Sequence, residues 1–491
     1  MNIKEAKEFI KDTVKLYLKK DEFGDYKLPV VRQRPVFMLG APGIGKTAIM
    51  EQVASELGIA LVSYSMTHHT RQSALGLPFI EKKDYNGETF SVSEYTMSEI
   101  IASVYDTMKE SGVSEGILFL DEINCVSETL YPSMLQFLQY KTFGRHSVPE
   151  GWVIVTAGNP PEFNKAVREF DVVTLDRLKL LNVEADFPAW KEYAAEADIH
   201  GAILNYLETN REFFYKIEST VDGKSYVTAR GWEDLSKILH LYEEEKLAVN
   251  ENLVGQYIQN EKAVREFTAY YDLYNKYKET YKADMILKGN MPGETIERAA
   301  NAPIDERFAL EGLLIDRVKL VIKEVTAKSN TLKSIVPVLR KARENGNVLA
   351  LLTGEKEKND ENYKSKLHAN TLTPRDRYAL KAKGLLLDEL IKAAELSGED
   401  AAFSLYNEKV TELKKDAQTA TEAVNNMLIF NREAFGEESN EMLVAVTELT
   451  IDNGAAEFLT TFGSSEYDKY NKILMVNDRE KSLRESIEKI L

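Results

Sequence analysis

Residues 36–48 read Val-Phe-Met-Leu-Gly-Ala-Pro-Gly-Ile-Gly-Lys-Thr-Ala, and residues 40–47 of this stretch complete the pattern G-x-x-x-x-G-K-[ST]. An apolar run precedes the pattern and a helical pattern over residues 48–57 follows it, the strand–loop–helix context that the pattern requires. Glycines let backbone N–H groups curl closely around a phosphate, and the helix N-terminus adds a favourable dipole. The stretch therefore predicts a loop in which Lys46 neutralises outer phosphates and the Thr47 hydroxyl ligates magnesium. Since such a loop reads phosphates and not bases, it does not separate ATP from GTP.

A second strand pattern ends in two adjacent acids. Residues 116–122 read Gly-Ile-Leu-Phe-Leu-Asp-Glu, and the acids are Asp121 and Glu122. An aspartate at a strand end can hold magnesium through its water shell, and an adjacent glutamate can polarise or deprotonate the attacking water. Taken alone, the pair equally fits two acids that cap the next helix. After an intact phosphate loop, we predict the catalytic role.

A third apolar run, residues 153–157, leads to Gly158-Asn159-Pro160. The Asn159 amide is placed to orient the lytic water or to contact the terminal phosphate. Without the other two motifs, Asn-Pro after a strand would be only a turn signal.

Continuous apolar runs indicate strands that are buried on both faces, as in a parallel sheet covered by helices. From about residue 246 onward the pattern is almost entirely helical, and the charge-rich stretch 346–370 predicts an exposed linker. The runs that predict strands are Val36–Leu39, Ala60–Tyr64, Ile117–Leu120, Val153–Ala157 and Leu180–Val183.

Composition limits the functions that the chain can have. Its 491 residues carry 62 Lys and Arg against 79 Asp and Glu, a formal net charge of -17, which disfavours stable binding to nucleic acids. The single cysteine, Cys125, excludes an internal disulfide and favours a reducing, cytoplasmic location. No stretch approaches 18 apolar residues, so we expect no membrane span.

In combination, these motifs resemble the AAA+ superfamily of ring-forming ATPases and, within it, the MoxR-like branch. The resemblance covers about residues 30–245. The motifs that carry it are Gly-Ala-Pro-Gly-Ile-Gly-Lys-Thr at 40–47, Leu-Asp-Glu-Ile-Asn at 120–124, Ala-Gly-Asn-Pro at 157–160, Leu-Asp-Arg-Leu at 175–178 and Thr-Ala-Arg at 228–230.

The resemblance implies an α/β fold with a P-loop NTPase core of the AAA+ type, a helical lid and a mostly α-helical C-terminal region. We expect an N-terminal amphipathic helix and lead-in over residues 1–30, an αβα nucleotide-binding core over 31–186 and the lid over 187–245. A helical extension over 246–491 follows, with a division near 346–370.

Specific residue roles follow from the same resemblance. Asn159 matches the sensor-1 position, and Arg177 matches the arginine finger that reaches into a neighbouring subunit's site, with Arg168 as the alternative. Arg230 resembles the sensor-2 arginine, although Ala229 stands where the family usually has proline. Thr47 and Asp121 are the expected magnesium ligands, and Lys46, Glu122, Asn159 and Arg177 the expected catalytic residues. The expected nucleotide-binding residues are Gly40, Ala41, Pro42, Gly43, Ile44, Gly45, Lys46, Thr47, Ala48, Asp121 and Arg230.

Two hairpins also resemble this branch. Residues 79–92 predict a hairpin around Asn86-Gly87, a strong two-residue turn signal, and residues 140–145 suggest a second hairpin before the sensor strand. In the family such a hairpin faces the pore of the ring, where it could grip a protein. The alternative is that both are ordinary surface hairpins.

The implied function is magnesium-dependent ATP hydrolysis by a homo-oligomeric, hexameric ring in the cytoplasm. The energy would drive chaperone-like remodelling or maturation of a protein client, in this branch often a partner with a von Willebrand A domain. Two alternatives stay open: a nucleic-acid translocase subunit of a restriction-type system and a chelatase-type motor subunit. The net charge weighs against the nucleic-acid alternative.

Overall fold

The computed structural model describes residues 1–473 apart from 69–71, 73, 75, 165–166 and 221–222. The chain forms two compact units, each built from two stretches of sequence. The first comprises Met1–Ala189 and Glu357–Lys381, and the second comprises Trp190–Lys356 and Ala382–Leu491. Among the helices described, none is long and apolar enough to cross a lipid bilayer.

A parallel sheet forms the centre of the first unit. Its strands run in the order β2 (Ala60–Ser65), β5 (Gly116–Asp121), β8 (Trp152–Gly158), β1 (Val36–Gly40) and β9 (Lys179–Val183), and helices flank it. All five strands coincide with the predicted apolar runs, so the predicted fold class is confirmed; β8, for example, is buried along its whole length. The strands of this unit are β1 (Val36–Gly40), β2 (Ala60–Ser65), β3 (Pro78–Tyr85), β4 (Glu88–Tyr95), β5 (Gly116–Asp121), β6 (Thr142–Phe143), β7 (His146–Ser147), β8 (Trp152–Gly158) and β9 (Lys179–Val183).

Local sequence signals set the ends of the helices in this unit. Helix α1 begins with a capping box, in which the Asn2 side chain accepts the Glu5 N–H and the Glu5 carboxylate accepts the Asn2 N–H. Helix α2 ends at Gly58, whose φ of +66° favours glycine. The helices are α1 (Ile3–Tyr17), α2 (Ala48–Leu57), α3 (Glu99–Ser111), α4 (Tyr131–Tyr140) and α5 (Val172–Leu175).

Both predicted hairpins form. Strands β3 and β4 pair antiparallel from Pro78↔Tyr95 to Tyr85↔Glu88, and the turn between them places Asn86 at φ +52° and Gly87 at φ +90°. This is the pair of positive φ angles that an Asn-Gly hairpin turn requires. The shorter hairpin of β6 and β7 turns at Gly144, where φ is +58°.

The second unit is mostly helical, with one antiparallel hairpin of β10 (Lys216–Thr220) and β11 (Gly223–Val227). The predicted exposed linker over 346–370 is wrong, because residues 348–368 form a helix in which Val348, Leu352 and Asn359 are buried. The further helices are α6 (Phe187–Glu196), α7 (Gly201–Thr209), α8 (Ala229–Glu244), α9 (Glu251–Tyr257), α10 (Glu261–Tyr281), α11 (Ala283–Leu287), α12 (Gly293–Ala300), α13 (Ile304–Asn345), α14 (Val348–His368), α15 (Pro374–Ser397), α16 (Glu399–Phe435), α17 (Asn440–Ile451) and α18 (Asn453–Phe462).

Residues 357–381, which we call the helical tip, belong to the first unit although they are remote from it in sequence. The Leu61 N–H of edge strand β2 donates to the Ala369 oxygen at 2.9 Å. The Asn370 amide returns a hydrogen bond to the Leu61 oxygen at 3.1 Å, across 309 positions of sequence. Ala369 is 2% exposed and joins the core of the sheet. The helical tip therefore covers backbone groups of an edge strand that would otherwise be open to pairing.

Candidate active site

The loop between β1 and α2 lies at the carboxyl edge of the sheet and owes its shape to three glycines. Gly43 and Gly45 have φ angles of +75° and +96°, which other residues adopt rarely. Gly40 has an ordinary φ, but a Cβ atom there would lie 2.5 Å from the Val183 backbone oxygen. Strand β9 therefore packs too closely against β1 for any larger residue at this position.

Lys46 is 7% exposed, and its ammonium group lies inside the loop. Its Nζ donates to the Gly40 oxygen at 2.7 Å, to the Ala41 oxygen at 2.8 Å and to Asn159 Oδ1 at 3.0 Å. The structure thus brings together a lysine and an amide that are 113 positions apart. A phosphate at this loop would meet both side chains.

Thr47 and Asp121 form the second contact between motifs. The Thr47 hydroxyl donates to Asp121 Oδ2 at 2.8 Å, and Asp121 Oδ1 accepts the Glu122 N–H at 2.9 Å. A hydroxyl and a carboxylate side by side are the hard oxygen ligands that magnesium prefers. The donor set fits this ion, and the two residues predicted as its ligands are in mutual contact.

Glu122 has a φ of +56°, in the left-handed region that is uncommon for residues other than glycine. Its Oε2 accepts hydrogen bonds from Ser65 Oγ and Thr67 Oγ1, both at 3.1 Å. Sequence reasoning missed these two hydroxyls. A correct prediction of the strand order could have found them, because β2 pairs with β5 and Ser65 lies opposite Asp121 in that pairing.

Asn124, the last residue of the motif at 120–124, is a further polar residue at the site, to which the sequence analysis gave no role. It lies in the 3-10 turn Ile123–Cys125 and is 3% exposed. Its Nδ2 donates to the Asn159 backbone oxygen at 2.8 Å, so a buried amide joins the segment after β5 to the segment after β8.

Neighbouring Cys125 lies in surroundings that disfavour its thiolate. Burial raises the pKa of its thiol, and the charges of Glu122 and Asp121 raise it further. Because the thiolate is the reactive form, this environment fits packing and not redox chemistry.

The two candidate finger arginines differ in their contacts. Arg177 is exposed, and its Nη1 donates to the Val173 backbone oxygen at 3.2 Å. It borders a surface cavity of about 250 Å³ between α4 and α5. Arg168 instead forms an ion pair with the exposed Glu128.

Arg230 lies in the other unit, at an exposed position in the first turn of α8. Thr228 caps this helix by accepting the Gly231 N–H at 3.1 Å. The role of Arg230 at the nucleotide stays a prediction.

A glycine-rich loop at the carboxyl edge of a parallel sheet, with a lysine, a threonine and two acids converging on it, defines a P-loop nucleoside triphosphatase. Residues 36–175 match the family model described as "ATPase family associated with various cellular activities (AAA)". The chain therefore carries an AAA ATPase domain and is an enzyme that hydrolyses nucleoside triphosphates. None of the curated proteins matches the chain.

Proposed function

We propose that this protein is a MoxR-like AAA+ ATPase that assembles into a hexameric ring in the cytoplasm and remodels a protein client. The observation that carries the proposal is the pair of hairpins within the AAA domain. The β3–β4 hairpin separates β2 from α3, and the β6–β7 hairpin immediately precedes the sensor strand β8. Both positions are those of the two insertions that resemble this branch.

The chemistry that we propose is the attack of water on the terminal phosphoryl group of ATP. Glu122 orients this water and accepts its proton, Lys46 offsets the charge on the phosphates, and Asn159 contacts the terminal phosphate. Thr47 and Asp121 would hold a magnesium ion, which when bound neutralises further phosphate charge. The short contacts between Thr47 and Asp121 and between Lys46 and Asn159 support this assignment.

We assign the trans arginine to Arg177 and not to Arg168. The Arg168 guanidinium would have to leave an ion pair with Glu128, whereas Arg177 would give up a hydrogen bond to a backbone oxygen. Helix α5 lies just before Arg177 in the chain, and its residues Val172 and Val173 are 82% and 58% exposed. An interface between copies of the chain would remove these apolar side chains from water.

The hairpins supply the surface that we propose for the client, which in this branch is often a protein with a von Willebrand A domain. Ile80, Tyr85 and Phe90 of the long hairpin are 76%, 52% and 47% exposed. Arg145 of the short hairpin lies 3.4 Å from Glu94 and 3.9 Å from Glu81 of the long one. These ion pairs link the long hairpin to the short hairpin, which directly precedes strand β8.

The test is the variant Glu122→Gln, which keeps the shape of the side chain but removes its basicity. We expect ATP binding to persist, phosphate release to fall by about a hundredfold or more, and the nucleotide-bound ring to accumulate in mass photometry. The control is Glu22→Gln, at an exposed position of the same unit. Hydrolysis at the parental rate would refute the catalytic assignment, and a variant that stays monomeric with ATP would refute the ring.

A further inference from the structure

We propose that Asn124 is a positioning residue, which holds Asn159 toward the terminal phosphate and couples it to the backbone at Arg168. The proposal deepens the proposed function, because it rests on the assignment of Asn159 to the phosphate. It concerns a residue that lies outside the loop, the two acids and the candidate arginines.

Asn124 contacts two different segments with two different groups. Its side-chain Nδ2 donates to the Asn159 backbone oxygen at 2.8 Å. Its own backbone oxygen accepts the Arg168 N–H at 2.9 Å. One buried residue therefore contacts both Asn159, directly after the sensor strand, and Arg168, one of the two candidate finger arginines.

The packing around the amide leaves little room for a different arrangement. A Cβ atom at Gly158 would lie 2.4 Å from Asn124 Oδ1, so the amide lies directly against the strand end. Asn124 Oδ1 is itself buried and has no hydrogen-bond partner among the described residues. A buried acceptor without a protein partner lowers the stability of the fold. The hydrogen bond that this amide does make is the one that holds the Asn159 backbone.

A continuous line of hydrogen bonds results. Lys46 Nζ contacts Asn159 Oδ1 at 3.0 Å, Asn159 contacts the Asn124 side chain, and the Asn124 backbone contacts Arg168. When a terminal phosphate binds Lys46 and Asn159, the Asn124 side chain holds the Asn159 backbone in place. If the Asn159 backbone moves, Asn124 moves with it, and its backbone hydrogen bond carries this movement to Arg168. A chain of packed polar contacts with a bound and an unbound arrangement can carry such coupling.

The first test is a double-mutant cycle on ATP hydrolysis by the full chain. We expect Asn124→Ala to lower kcat by about tenfold to a hundredfold, with KM for ATP changed by less than about threefold. Adding Asn124→Ala to Asn159→Ala should cost little more, because both changes disable the same amide. Asn124→Asp, which keeps the shape and loses the donor, should behave like Asn124→Ala.

The matched control is Asn164→Ala. The Asn164 amide donates at 3.4 Å to Sγ of Cys125, the residue after Asn124, so this variant removes an amide from the same region and leaves the Asn124–Asn159 hydrogen bond in place. We expect its kcat to stay near the parental value.

The second test follows hydrogen exchange at residues 167–170 with and without a non-hydrolysable ATP analogue. The parental chain should show a nucleotide-dependent change in exchange that Asn124→Ala and Asn124→Asp lack, although both variants still bind the analogue. Parental kcat in Asn159→Ala would refute the proposed function itself. If Asn159→Ala is impaired but the effects of the two substitutions multiply, or if the exchange response persists in both Asn124 variants, the role of Asn124 is refuted.

Discussion

At the scale of single residues, we expect the hydroxyls of Ser65 and Thr67 to affect the rate of hydrolysis through the proposed base Glu122. Both donate to Glu122 Oε2, the oxygen that would otherwise be free to accept a proton from water. We expect the double variant Ser65→Ala and Thr67→Val to raise basal ATP turnover by roughly twofold to tenfold, because the carboxylate gains freedom to reach the water. Steady-state phosphate release measures this effect. The control is Ser63→Ala, at an exposed position of β2, the strand that carries Ser65. If turnover falls in the double variant and not in the control, the prediction is wrong and the hydroxyls hold Glu122 in a productive position.

At the scale of secondary-structure elements, the helical tip is expected to contribute stability to the first unit. Ala369 is 2% exposed, whereas Leu367, two residues earlier, is 45% exposed. Ala369→Asp would bury an unpaired carboxylate, so we expect it to lower the free energy of unfolding by about 2–5 kcal/mol. Leu367→Asp should change it by less than about 1 kcal/mol. Chemical denaturation followed by tryptophan fluorescence measures both values, and equal effects would show that the tip does not dock on β2 in solution.

The same elements show what the sequence could and could not predict. Strands buried on both faces appear as continuous apolar runs, and Asn86-Gly87 specifies its turn locally, so both were predictable. The start of the helix at Pro374 also has a local sequence signal, Thr-Pro-Arg-Asp at 373–376, and Thr373 Oγ1 caps the helix by accepting the Asp376 N–H. The docking of Ala369 on Leu61 depends on contacts more than 300 positions apart. Asn124 ends the motif at 120–124, but no pattern in the sequence predicts its hydrogen bond to Asn159. Ser65 belongs to no motif, and the pairing of β2 with β5 brings it to the site.

At the scale of the whole molecule, the stability of the chain should depend on pH in a defined direction. Burial raises the pKa of Glu311, on α13, to about 8; the neighbouring Asn431 amide lowers this pKa and the Glu441 charge raises it. Glu441 is itself paired with Arg307 at 2.8 Å. Between about pH 4.5 and 8 the folded chain therefore holds a proton at Glu311 that the unfolded chain has lost.

Because the folded state binds the extra proton, stability falls as pH rises through this window, by about 1.4 kcal/mol for each pH unit from this group alone. Glu243 gives the stability a pH dependence of the opposite sign. Burial raises the pKa of Glu243, but its contacts with His200 and Lys278 outweigh burial and lower this pKa to about 2. The stability from Glu243 is present above about pH 4.5 and is lost as the pH falls toward 2. We expect Glu311→Gln to flatten the loss of stability between about pH 5 and 8 in urea titrations, while Glu344→Gln, exposed on the same helix, leaves it intact. An unchanged slope in Glu311→Gln would mean that this carboxyl is ionised in the folded chain at neutral pH.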